Sequence, residues 1–162
     1  MSITQPAAVR TGAKVIVFNA WRVFIAVWYL GGCVIHFLCA IFQPYAYARL
    51  ERGPLYPLMG RVWIEFFIPH IVSFAVLLAI IELAVGIMLL SRNGAVRIAL
   101  TVSLLFNLFL VQLGLGFSAP PGSMDDFVHN RLSNVLFILI QLPLYWVHFD
   151  RSLAAVIRAR FR

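Results

Sequence analysis

Glu82 stands inside an almost unbroken apolar run from Ile71 to Leu90. About 20 apolar residues at ~1.5 Å per residue match the ~30 Å hydrocarbon layer of a bilayer. An ionised carboxylate facing lipid near the middle of such a run costs at least a few kcal/mol. The chain must therefore protonate Glu82, pair it, or turn it toward other helices. This requirement constrains the fold more than any other feature of the sequence.

The composition agrees with a membrane protein. Of 162 residues, 62% are hydrophobic and only 12% charged, where soluble domains have roughly 45–50% and ~25%. The length accommodates one helical bundle and no separate soluble domain, so residues 1–162 read as a single membrane domain. Four hydrophobic runs, approximately residues 15–42, 62–90, 95–117 and 132–149, predict four spans, followed by a surface tail at 150–162. The runs are continuous and lack period-two alternation, which favours helices over a barrel. The expected fold is all-α: a polytopic membrane protein with four transmembrane helices in an antiparallel bundle. The N-terminal basic residues precede an apolar run too long for a signal-peptide core, so the first span reads as a retained helix.

Charge orients the bundle. Arg10, Lys14, Arg22, Arg92, Arg97, Arg151, Arg158, Arg160 and Arg162 fall on one side, while Arg49, Arg52, Arg61 and Arg131 fall on the other, beside Glu51, Asp125 and Asp126. The positive-inside bias predicts both termini in the cytoplasm, in a cell membrane of the bacterial inner-membrane kind. The net charge of +7 thus reflects topology and anionic lipid. It is not gathered into a nucleic-acid footprint. The tail after Asp150 mixes apolar residues with three arginines and suits the inner membrane surface.

The outer connectors carry their own signals. Residues 43–61 combine Pro44, Pro54, Pro57, Gly53 and Gly60 with Tyr45, Tyr47 and Tyr56, predicting an ordered interfacial loop with a short helix near residues 46–51. In the second connector, Pro120-Pro121-Gly122 makes a turn, and Asp125-Asp126 is expected to cap a short turn into the fourth helix. Pro69 is expected to kink the second helix near its outer end.

Polar residues inside the spans narrow the function. Asn130, Asn134, Gln141 and His148 fall within ~40° of one another at ~100° per residue, a stripe that should face other helices. Glu82 is expected to meet an amide or hydroxyl among Thr101, Asn107 and Gln141, which lie at similar depth. His70 lies ~18 Å from Glu82 along the helix axis, outside any small shared site. Arg22 is expected to snorkel to inner headgroups. No metal centre is read from the chain; His36 and His70, both toward the outer side, are the imidazoles that would serve as ligands. Cys33 and Cys39 point ~120° apart on one helix, which excludes a disulfide between them. Nucleotide-binding loops, HExxH and paired CxxC motifs are missing.

The segment IELAVGIMLLSRNGAVRIAL, with Glu82, Gly86, Leu89, Leu90 and Arg97, resembles the DoxX-like family of small membrane proteins. Arg22-VFIAVWYLGGC is similar to that family's opening helix, although the usual lysine soon after its glycine is not found at Cys33, Val34 or Ile35. The resemblance implies membrane redox systems, with quinone as the small-molecule partner. His70, Glu82, Asn107 and Gln141 are the candidates for a quinone or polar-ligand wall, since a quinone pocket needs an apolar slot with a few polar groups. Three functions follow as expectations. The first is an accessory or assembly subunit of a larger, redox-linked membrane complex, such as one of respiratory or photosynthetic electron transfer. The alternatives are a DoxX-like quinone-linked oxidoreductase subunit and a small transporter or lipid-binding protein. The expected partners are membrane lipids and other membrane-protein subunits. Isolated catalysis is not expected, and no catalytic residue stands out.

Overall fold

The computed structural model describes residues 13–160, all of whose regular structure is helical. Helix α1 runs Ala13–Phe42. A 3-10 helix, Pro44–Arg52, follows with proline at its start. Helix α2 is continuous over Pro57–Leu89 and α3 covers Asn93–Leu113. Helix α4 occupies residues 124–146, with its regular α-helical part at Leu132–Gln141. Helix α5, Leu153–Arg160, forms the tail. Three helices, α1 to α3, are long and apolar enough to cross a membrane. The expectations for residues 1–12 and 161–162 lie outside the described residues.

Boundaries moved where backbone chemistry outweighed hydropathy. Helix α2 begins five residues before the expected Val62, because Pro57 is pre-set for a first helical turn after extended Tyr56. Pro69 does act on the helix. A π turn at Trp63–Phe67 passes into a 3-10 turn at Ile68–His70, a local rewinding that absorbs the missing N–H. Helix α3 stops at Leu113, four residues short of the expected Phe117, because Gly114 and Gly116 adopt φ of +77°. A side chain at Gly114 would meet the Gly53 carbonyl, and one at Gly116 the Arg49 carbonyl. These two glycines let the outer connectors touch backbone to backbone.

A single packing rule organises the bundle. On α2 the buried positions Ile71, Ala75, Leu78, Glu82, Val85 and Leu89 alternate spacings of four and three. On α3 Val96, Leu100, Ser103 and Asn107 do the same, and on α4 Asn130, Asn134, Phe137, Gln141 and Leu144. This repeat is the seam of helices packed at small crossing angles. Polar side chains are thus threaded along the seams, while Val27, Ile35, Leu77, Ile80, Leu105, Leu136 and Leu139 face outward. Such wide apolar exposure is unstable against water and natural against lipid.

The inner core gathers Ile25, Ala26, Tyr29, Val85, Leu89, Val96, Leu100, Phe137, Leu144 and Phe149. A second core beneath the outer loops centres on Trp63, Ile71 and Leu113, with Phe67, Phe74 and Phe109 against it. In lipid such cores hold by close van der Waals contact, so small residues matter where helices approach. A methyl on Gly86 would stand 2.7 Å from the Leu30 side chain and 3.3 Å from the Ala26 carbonyl, placing α1 and α2 in near-backbone contact.

Two charged residues fasten the ends. Arg22, expected at the headgroups, is instead 0% exposed. Its Nη1 donates to the Ser91 carbonyl at 3.2 Å, its Nη2 to Asn19 Oδ1 at 2.8 Å, and its guanidinium lies 4.4 Å from the Phe149 ring. A cation there satisfies a carbonyl at the negative end of α2. At the outer end Arg131 donates to Asp126 through Nε (2.7 Å) and Nη2 (3.1 Å), and also to the Gly53 carbonyl at 2.6 Å and to the Val111 carbonyl. Asn130 and the Gly122 amide complete the shell around Asp126. Ser123, not an aspartate, caps this helix by accepting from the Asp126 amide.

Candidate functional site

The site begins with a vacancy in side-chain volume. Gly32 on α1 faces Glu82 on α2, and a Cβ at Gly32 would stand 2.5 Å from the carboxylate. Glycine therefore opens a niche in the α1–α2 seam. Glu82 fills it and is 5% exposed. One turn further along α1, His36 turns Nε2 toward Glu82 Oε2 at 3.5 Å. Oε2 itself receives no hydrogen bond. Arg22 Nε, Trp63 Nε1, Gln112 Oε1 and Asn134 Nδ2 are also buried without a partner, so what sets Oε2 apart is the imidazole beside it.

The line continues outward. His36 Nδ1 shares a hydrogen bond with the Tyr47 hydroxyl, and the two rings stack at 5.6 Å. Tyr47 belongs to the 3-10 helix of the outer connector, so a loop residue completes a site inside the bundle. Burial, with Cys39 and Glu82 adding to it, pushes the Tyr47 phenol above its ordinary value. A protonated phenol can donate to Nδ1, and in that tautomer Nε2 carries the hydrogen and lies 3.5 Å from Glu82 Oε2. The resulting order is phenol, imidazole, carboxylate, from loop to seam.

A second polar group lies deeper between α1, α3 and α4. Asn107 Nδ2 donates to the Tyr29 hydroxyl at 2.9 Å and to the Ser103 carbonyl at 2.8 Å. The Tyr29 and Ser103 hydroxyls are hydrogen-bonded, Ser103 donates to Gln141 Oε1, and Gln141 Nε2 donates to the Phe137 carbonyl at 2.9 Å. These groups satisfy one another and tie three helices together.

The expected wall of His70, Glu82, Asn107 and Gln141 thus divides. Asn107 and Gln141 come together through Ser103, with Tyr29 as the member that hydropathy alone did not mark. Glu82 meets neither of them and not Thr101, whose hydroxyl pairs with Tyr145 at 2.6 Å; its neighbour is His36. His70 is exposed on the outer side, packed on Phe66 at 5.7 Å and lining a shallow groove with Tyr45 and Ser73. His36 and His70 are likewise not paired: the His36 imidazole lies between Tyr47 and Glu82, whereas His70 packs on Phe66. Among the described residues no three His, Cys, Asp or Glu side chains form a metal-binding group. Cys33 and Cys39 are both free thiols. The amide stripe of α4 turns inward at Asn130, Asn134 and Gln141, but His148 falls past the helix end and is exposed.

For a quinone, Asn107 Nδ2 and both amide atoms of Gln141 are already hydrogen-bonded within the cluster. Glu82 Oε2 is a buried polar atom at the seam with no hydrogen bond. Comparison with protein-family models, with characterised proteins and with solved structures gave no match to this chain. The fold and this site define an all-helical protein with membrane-spanning character and a buried ionisable line that reaches the connector between α1 and α2.

Proposed function

We propose that this chain is a four-span protein of the bacterial inner membrane, with both termini in the cytoplasm, acting as an accessory subunit of a larger redox-linked membrane complex. Its contribution there is a proton-exchanging site at Glu82. The four-span reading is supported by the outward Leu136 and Leu139 of α4 and by the asymmetry of basic residues. The subunit reading is supported by the extended apolar surface, which offers helix faces to neighbouring subunits as well as to lipid.

The observation that carries the proton role is the line Tyr47–His36–Glu82 with its unpartnered Oε2. Imidazole can accept a proton at Nδ1 from the outer side and release the one on Nε2 to the carboxylate, so charge moves without the ring leaving its place. Glu82 then holds the proton as a neutral acid, the form a membrane interior favours. Gly32 keeps the carboxylate within reach of His36.

A second reading, a DoxX-like quinone-linked oxidoreductase subunit, is favoured by the Glu82–Gly86 helix turn. It is also favoured by His36, which stands four residues after Gly32 and supplies a basic group on the first helix facing Glu82. Quinone would then be the mobile redox partner whose protons the line supplies or removes.

Isolation of the native protein in mild detergent tests the subunit reading: a stoichiometric complex is expected, and a solitary monomer would oppose it. Within the isolated complex, Glu82→Gln should leave assembly intact and lower proton-coupled turnover at least ~10-fold. Unchanged turnover and an unchanged pH profile in that variant would rule out the proton role.

A further inference from the structure

An open groove lies away from the Glu82 line, between α3 and the end of α4. It encloses about 680 Å³ and is lined by Arg97, Thr101, Leu104, Leu142, Tyr145 and Trp146. Residues 97, 101 and 104 succeed one another along one face of α3, giving a ladder of cation, hydroxyl and aliphatic side chain. Along its wall Thr101 donates to the Arg97 carbonyl and accepts from the Tyr145 hydroxyl at 2.6 Å, and Leu142 faces the apolar part. Trp146, 77% exposed, stands at the rim.

Two further features narrow the occupant. Among the described residues the ion pairs are His36–Glu82, His129–Asp125 and Arg131–Asp126, so Arg97 enters the groove without a carboxylate. Ile98 and Leu105, each next in sequence to a lining residue of α3, and Leu139, three residues before Leu142 on α4, are exposed. A ligand for it needs an anionic head for Arg97 and an apolar tail that can leave along the helix surface. A soluble anion matches the first half of that description and an alkane the second.

We propose that this groove is a binding site for one anionic phospholipid, its phosphate on Arg97 and an acyl chain along Leu104 and Leu142. Arginine supplies parallel N–H donors to phosphate oxygens. Trp146 sits where an indole favours the headgroup level. Placement in the cytoplasmic leaflet rests on the four-span reading; the site itself does not.

Native mass spectrometry of the full chain, delipidated in mild detergent and titrated with phosphatidylglycerol or phosphatidylcholine, tests the site. Wild type should hold one phosphatidylglycerol at least ~10-fold more tightly than phosphatidylcholine, and Arg97→Gln should remove that preference. Arg92→Gln, which changes an exposed arginine at the same end of α3, should alter binding less than about twofold. Arg97→Lys keeps the charge but loses the planar fork and should weaken phosphatidylglycerol severalfold, a second measure if Arg97→Gln proves hard to purify. Equal binding of the two lipids would overturn the proposal. So would equal effects of Arg92→Gln and Arg97→Gln, which would indicate diffuse charge. Displacement by inorganic phosphate at the same concentration as the lipid would show an anion site with no lipid selectivity, and would also overturn it.

Discussion

Gly32 lies so close to Glu82 that a methyl group on it would stand 2.5 Å from the carboxylate oxygen. The obstacle is the mobile end of a side chain, so Gly32→Ala should expel the carboxylate from His36 without separating the helices. At Gly86 the added methyl meets Leu30 Cγ at 2.7 Å and the Ala26 carbonyl at 3.3 Å, where backbone must yield. Gly86→Ala should therefore cost about 1–3 kcal/mol by overpacking, and Gly32→Ala less than ~1 kcal/mol with a loss of activity matching Glu82→Gln. Reversible unfolding in mixed micelles, together with turnover of the complex, measures both. Equal destabilisation by the two substitutions would contradict the niche.

Asp126, 1% exposed, predicts an acid limit to stability. Burial alone would raise its carboxyl, but Arg131, the Gly122 amide and Asn130 together hold it below the usual carboxylate range. Its stabilising contribution is complete above the unfolded value of ~3.9 and is lost as pH falls through the lower folded value. Asp126→Asn should flatten this acid limb in a series of thermal melts between pH 2 and 6. Arg131→Ala leaves a buried carboxylate unpaired and should cost ~3–5 kcal/mol at neutral pH. A variant within 1 kcal/mol of wild type by that measure would show that the outer clasp does not hold the loops.

The deeper cluster should behave as a coupled unit. Tyr29→Phe, Ser103→Ala and Gln141→Leu each remove a link between helices, with expected single costs of ~0.6–2 kcal/mol in the membrane. Ser103 bridges Tyr29 and Gln141, so pairs that include it share a loss, and the double variant Ser103→Ala/Gln141→Leu should cost less than the sum of its parts. Additivity in that double-mutant cycle, read by unfolding in micelles, would mean that the hydroxyl–amide contact contributes little.

Helical class and the apolar spans were legible because a bilayer-length run without period-two alternation admits few other structures. The inward turn of Asn130 and Gln141 was legible for a similar reason, since amides need partners that lipid does not offer; Asn134 turns inward as well, but its Nδ2 is left without a partner. What escaped was the neighbour of Glu82. Depth along a helix axis restricts which residues share a level, but it does not fix which helices touch. Glu82 and Asn107 share a level, yet α1 approaches α2 closely through Gly32 and Gly86, and that approach gives Glu82 to His36. Tyr47 escaped for another reason. Its aromatic and interfacial character suited a headgroup belt, and no local pattern marks a loop residue that folds back onto a helix. The small residues were the available signal: Gly32 and His36 lie one turn apart on α1, and Gly86 lies one turn beyond Glu82 on α2.

Arg22 offers a direct test of position against charge. From its place near the inner end of α1, snorkelling to water was the expectation, and a lysine would then serve as well. In the structure the guanidinium is enclosed and spreads its donors over the Ser91 carbonyl and Asn19 while facing the Phe149 ring. A lysine retains the charge but cannot reproduce a planar fork across these partners. Arg22→Lys should therefore cost ~1–3 kcal/mol through lost charge-assisted hydrogen bonds. Arg22→Met leaves the Ser91 carbonyl without its donor but buries no charge, and should cost no more than the lysine variant. The order of the two in micelle unfolding decides between the alternatives. Lysine equal to wild type, with methionine clearly weaker, would return Arg22 to the headgroups. Methionine as good as or better than lysine is the order an enclosed guanidinium requires.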